Sequence, residues 1–176
     1  MHPLRNRIRT NMSRRHPKDL ILYGLAVTDA AARGKAVAHA EDGRAVLIEG
    51  AVPGDTVDVR VTKKSSRYYE GRVERLLTLS EKRTEPPCPH FGVCGGCRWQ
   101  NMQYRWQLYY KQQEVENNLR RIGGVELPPV SPILGCEHEY YYRNKLEFSF
   151  ACRRWYTREE LDTAGEISSP EPALGF

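Results

Sequence analysis

No run in this chain approaches the roughly 18 consecutive apolar residues that a membrane-spanning helix needs. With a mean hydropathy of −0.65, a soluble protein with a modest core is expected. The opening stretch, MHPLRNRIRTNMSRRHPKDL, lacks the apolar centre of a secretory signal. It also lacks any carboxylate before Asp19, although it carries Arg5, Arg7, Arg9, Arg14, Arg15 and Lys18. There is no internal repeat, so repeat architectures are excluded. No Gly-x-Gly follows a predicted strand, and the GGV at 123–125 sits at a helix end. A glycine-rich nucleotide loop is therefore not expected in these residues.

What is present is an uneven positive charge. The formal net charge is +5 and the isoelectric point is near 9.0. Residues 1–18 are expected to be a disordered basic arm that touches a polyanion, with nucleic acid the leading candidate. Cytoplasmic residence is expected, and there thiols stay reduced.

Residues 19–80 read as short strands divided by turns. The predicted strands are Leu20–Val27, Gly34–His39, Arg44–Glu49, Thr56–Thr62 and Tyr68–Leu79. Glu41-Asp42-Gly43 and Pro53-Gly54-Asp55 supply turns between them. In Thr56–Thr62 the alternation places Val57, Val59 and Val61 on one face, and Asp58 and Arg60 on the other. Five strands in about sixty residues are too few for two packed sheets and predict a small closed barrel of OB type. Between the fourth and fifth strands, Lys63, Lys64 and Arg67 precede Tyr68 and Tyr69. Cations for phosphates beside aromatic faces for bases are the combination that binders of single-stranded RNA use.

Residues 81–125 begin in a proline-containing linker (SEKRTEPP, from Ser80) and continue into CPHFGVCGGC. A helix is predicted over about Gln103 to Arg121, stopped by Gly123-Gly124. Leu108, Val115, Leu119 and Ile122 share one face, and Trp99, Met102, Trp106 and Tyr109 extend the stripe. That face is expected to pack against the cysteine loop and a neighbouring domain. In residues 126–176, Tyr140–Cys152 reads as a strand in which Leu146, Phe148 and Phe150 alternate with Glu147 and Ser149.

Cys88, Cys94 and Cys97 stand at C-x5-C-x2-C. Thiolates are soft ligands, so zinc and an iron–sulfur cluster are the candidate occupants. Structural zinc prefers paired knuckles, and no second cysteine pair lies downstream. Three ligands from one loop and one from elsewhere suit a cubane cluster, each iron taking one cysteine. Gly95 and Gly96 would let backbone N–H groups approach the sulfides. The spacing alone leaves cluster, zinc, or neither open.

The stretch CPHFGVCGGCRWQNMQYRWQLYYKQ resembles the RNA (uracil-5-)-methyltransferases, in particular the cluster-bearing branch typified by the ribosomal RNA enzyme. The resemblance runs from about Gly24 to Phe176. GKAVAH and VPGDTVDV are similar to pieces of that family's TRAM domain, an OB-like RNA-binding barrel, and Tyr142-Arg143-Asn144-Lys145 with LEFSF resembles the entry to its central domain. The resemblance implies an α+β chain in which the barrel, the cysteine loop and a helix lead into a β-rich domain. It implies that Cys88, Cys94 and Cys97 hold a [4Fe-4S] cluster whose fourth ligand lies beyond Leu174-Gly175-Phe176. Cys136 and Cys152 do not match that ligand position. The family's nucleophilic cysteine, its carboxylate base and its S-adenosylmethionine loop belong to a C-terminal α/β domain absent here, so this chain alone is expected to be inactive. RNA is the implied partner, ribosomal ahead of transfer RNA, with Arg143 and Lys145 as further contacts, no membrane, and a monomeric chain. Competing readings are a free-standing RNA-binding module and a radical S-adenosylmethionine enzyme, although the latter resembles C-x3-C-x2-C.

Overall fold

The computed structural model describes residues 20–154, 156, 160, 163 and 172–175. The basic arm expected over residues 1–18 lies outside them.

Six strands form the main sheet: β1 (Ile21–Ala26), β2 (Asp29–Ala31), β3 (Lys35–His39), β4 (Ala45–Glu49), β5 (Thr56–Lys64) and β6 (Tyr68–Thr78). Their hydrogen-bonded order is β1-β5-β6-β4-β3-β2. Every neighbouring pair is antiparallel except β4–β6, which is parallel. The ladder runs linearly from β1 to β2, so the fold is a strand-rich, OB-like sheet, and its pairing does not itself close a ring. All five predicted strands are present. The sixth, β2, is three residues (Asp-Ala-Ala) held against β3 by backbone pairing.

The alternation in β5 does what its sequence requires. Val57, Val59 and Val61 are buried with Val46, Ile48, Ala36 and Ala38 in one apolar cluster. Asp58, next to them in the strand, is buried as well. Its carboxylate accepts the Gly24 backbone N–H at 2.9 Å and the Arg75 Nε–H at 3.0 Å, and those partners offset the cost of desolvating a charge.

A second cluster joins the sheet to the helix-bearing segment. Val52, Met102 and Tyr110 are buried together, with Ala30, Trp99 and Trp106 packed against them. The helix α1 (Tyr104–Asn117) continues through a π-helical turn over Asn118–Ile122 and ends before Gly123-Gly124, close to the predicted limits. Its buried face is the predicted one only toward its start, where Met102, Trp99 and Trp106 pack together. Tyr110 is buried, whereas Val115, Leu119 and Ile122 are exposed. The wide aromatic residues at the start of the helix reach the sheet and set its rotation, so the aliphatic positions turn outward.

The segment expected as a linker is pinned down. Ser80 is buried, and Arg83 pairs with Met102 as an isolated antiparallel bridge. The Gln103 carboxamide donates to the carbonyls of Glu81 and Arg83 at 2.7 and 3.0 Å. Further on, the predicted strand at 140–152 shrinks to β7 (Ser149–Ala151), paired antiparallel with β8 (Ala173–Gly175). Leu146 and Phe148 alternate in sequence, but they lie outside it and are exposed. No helix among the described residues is long and apolar enough to cross a membrane.

Candidate nucleic-acid interface and cysteine loop

The hairpin between β5 and β6 carries the predicted cationic tip. Ser65 N–H donates to the Tyr68 carbonyl at 2.9 Å, which closes the turn. Lys64 and Arg67 are exposed at that tip. Lys63 is differently placed: its ammonium donates to Glu70 Oε1 at 3.0 Å and to Tyr68 Oη at 3.3 Å. The Glu70 and Tyr68 hydrogen bonds push the Lys63 pKa up. Glu70 also holds Lys35, and these two ammonium groups pull its carboxyl below the ordinary range. The four predicted contacts therefore share one hairpin, with Lys64 and Arg67 the more available cations.

A network that sequence reasoning missed fixes this tip. The Arg44 guanidinium lies 4.0 Å from the Tyr69 ring centroid. It donates through Nε to Asp42 Oδ2 at 3.0 Å and through Nη1 to the Ser65 carbonyl at 3.0 Å. Tyr69 Oη donates to the same Asp42 oxygen at 2.9 Å. The Arg44 hydrogen bonds hold the Asp42 carboxyl well below the usual carboxylate range. Burial, then the hydrogen bond to Asp42, raises the Tyr69 phenol. The turn between β3 and β4 thus braces the hairpin that presents Lys64 and Arg67. The only sequence signal was that Asp42 and Arg44 flank a turn glycine.

Cys88, Cys94 and Cys97 occupy one loop, Cys88 and Cys94 half-buried and Cys97 exposed, and all are free thiols. Phe91 N–H donates to the Cys88 carbonyl at 3.1 Å, and Cys94 N–H to the His90 carbonyl at 3.2 Å. Gly95 has φ +74°, a left-handed conformation that glycine adopts without cost. Just after the loop, Arg98 and Trp99 press on the turn before β3. A Cβ on Gly34, itself at φ +71°, would collide with Arg98 Cβ, so the loop's root is clamped to the sheet only because residue 34 is glycine. The donor chemistry, three free thiols within ten residues, fits a thiophilic group. Among the described residues, however, no set of three or more Cys, His, Asp or Glu side chains is gathered as a metal ion would require. Binding such a group would therefore include closing the loop around it.

Burial first, then Glu139, then Cys97 raise the Tyr140 phenol pKa. Arg143 and Lys145 lie a few residues on and are exposed, and the Lys145–Glu147 pair is 3.6 Å long with both side chains in solvent. Such a pair contributes little to stability and leaves the lysine available. Cys136 is tied elsewhere, its backbone N–H donating to Tyr104 Oη at 2.6 Å.

Residues 25–73 match the TRAM domain, which spans β1 to the middle of β6. The chain is 48% identical over 131 residues to an uncharacterised RNA methyltransferase of Bacteroides thetaiotaomicron, covering 74% of this chain and 29% of that protein. A second such methyltransferase, from Porphyromonas gingivalis, is 42% identical over 152 residues, covering 86% of this chain and 32% of the relative. A third, from Chlorobaculum tepidum, is 40% identical over 154 residues, with the same shares covered. This chain therefore spans about a third of the length of these relatives. The TRAM match and the similarity along most of the chain fit the RNA methyltransferase family.

Proposed function

We propose that this chain is the RNA-gripping and cluster-bearing part of an S-adenosylmethionine-dependent RNA (uracil-5-)-methyltransferase that makes 5-methyluridine, in ribosomal RNA ahead of transfer RNA. The observation that carries the reading is the coincidence of a TRAM match with a braced hairpin that presents Lys64 and Arg67. Similarity to RNA methyltransferases extends well past that domain, over up to 154 residues.

In this reading the hairpin cations hold phosphates, and Tyr68 offers its ring to an unstacked base. Arg143 and Lys145 add further contacts. Cys88, Cys94 and Cys97 would hold a [4Fe-4S] cluster with a fourth ligand from elsewhere, and bound there it supplies a rigid cross-link for the loop. S-adenosylmethionine supplies the methyl group, and the residues that bind it, attack the uracil and remove its carbon-5 proton are assigned to sequence outside this chain. The protein works as a monomer in the cytoplasm.

The test uses the product of the whole reading frame containing this chain, incubated with methyl-labelled S-adenosylmethionine and unmodified ribosomal RNA. Label at carbon 5 of a uridine is expected. Label on another atom or base contradicts the uracil-5 reading. RNA binding without any methyl transfer points to a binding module instead.

A further inference from the structure

Between β2 and α1 lies a cleft of about 340 Å³, within the range of small-ligand sites. Its floor is one face of the helix: Trp106, Tyr109, Gln113 and Asn117 succeed one another at steps of three and four residues. Asp29 forms the opposite wall and Lys82 one end. Aromatic faces therefore sit at one end of the cleft and carboxamides at the other.

The hydrogen-bonding state of these groups indicates what would fill it. The Lys82 ammonium lies 4.5 Å from the Trp106 ring centroid and donates to Tyr110 Oη at 2.9 Å. No carboxylate within salt-bridge reach neutralises it among the described residues, so donors remain for an anion. The Gln113 and Asn117 carboxamides have no hydrogen-bond partner among the described residues, and Asp29 accepts only its neighbour's N–H, Ala30, at 2.8 Å. The Trp106 indole N–H is buried with no acceptor. Tyr109 stands edge-on to Trp106, with ring centroids 5.7 Å apart, and is about half exposed. An aromatic platform, an unneutralised ammonium, two idle carboxamides and a carboxylate together match the parts of a single nucleotide. The ring stacks, the phosphate meets the ammonium, and the base edge meets the amides and the carboxylate.

We propose that this cleft is a second nucleotide site on the chain, taking one unstacked base with its phosphate. It rests on the reading of the chain as an RNA binder and adds a position away from the β5–β6 hairpin. Tyr109 supplies the stacking face, Lys82 the phosphate contact, and Gln113, Asn117 and Asp29 select among bases.

The test measures binding of single-stranded oligoribonucleotides, and of the same backbone with abasic positions, to the full chain. Tyr109→Ala is expected to weaken binding of the base-bearing strand by roughly 5- to 150-fold, the range a lost stacked base carries, with the salt slope unchanged. Tyr109→Phe should restore the affinity. Lys82→Gln should flatten the slope by about 0.7. Gln113→Ala, on the helix surface, should change the preference among bases even if Tyr109→Ala disturbs packing. If the parent chain binds RNA and both Tyr109→Ala and Gln113→Ala match it in affinity and base preference, the cleft proposal is overturned and the RNA reading stands. A parent chain that binds no RNA at any salt concentration overturns both.

Discussion

Asp55→Ala is expected to abolish cooperative folding or bring the chain close to that point. The Asp55 carboxylate is fully buried and accepts the backbone N–H of Val52 at 2.6 Å and of Ser80 at 2.9 Å. It also takes both arms of the Arg83 guanidinium, at 2.8 and 2.7 Å. Removing it leaves a mostly buried guanidinium unpaired and orphans backbone donors that water cannot reach. Breaking a buried pair of this kind costs about 3–5 kcal/mol, against a total stability of about 5–15 kcal/mol for an ordinary domain. Urea denaturation monitored by far-UV circular dichroism measures it. Asp55→Asn, which keeps an acceptor but loses the charge, should fall between parent and alanine. Lys145→Ala, which breaks only the solvent-exposed pair with Glu147, should move stability by no more than about 0.5 kcal/mol. Equal effects at the two sites would contradict the reading that the buried Asp55–Arg83 pair ties the sheet to the segment that follows β6.

The second large effect concerns the proposed cluster. Anaerobic reconstitution of this chain with iron and sulfide is expected to give both elements in matched amounts. Cys94→Ser should reduce them to background, because two thiols on a loop that must close around its cofactor do not retain it. Cys136→Ser should leave iron content unchanged, since the Cys136 thiol is engaged locally, donating to the His138 carbonyl at 3.0 Å. Zinc without iron in the purified chain, or iron that survives Cys94→Ser, would remove the cluster from the account.

The strands with clean alternation were legible in the sequence. Val57, Val59 and Val61 bury as a period of two requires, and the turns at 41–43 and 53–55 lie where glycine places them. β2 was not legible, because Asp-Ala-Ala carries no strand preference and takes its shape from β3. The burial of Asp58 was not legible, because alternation separates the two faces but does not show the Gly24 and Arg75 partners that the carboxylate finds on its own face. The helix was found, and its buried face in part: Trp99, Met102 and Trp106 of the expected stripe pack with Val52, but Tyr110 was missed, and the aliphatic members Val115, Leu119 and Ile122 are exposed. The hairpin cations were read directly from composition. Their brace, Arg44 to Ser65, joins residues 21 apart in sequence and could be seen only once the sheet was formed. The cleft beside α1 escaped notice for a similar reason, since its glutamine, asparagine and aspartate are unremarkable one by one.

The measurement that bears most directly on the central claim, that this chain grips RNA through its braced hairpin, is the affinity for single-stranded RNA as a function of salt. The logarithm of the association constant is expected to fall linearly with the logarithm of salt concentration. Replacing both Lys64 and Arg67 by glutamine should flatten the slope by roughly 1.4, about 0.7 for each lost phosphate contact. An affinity that does not change with salt, or a double variant that keeps the parent's slope, would contradict the claim.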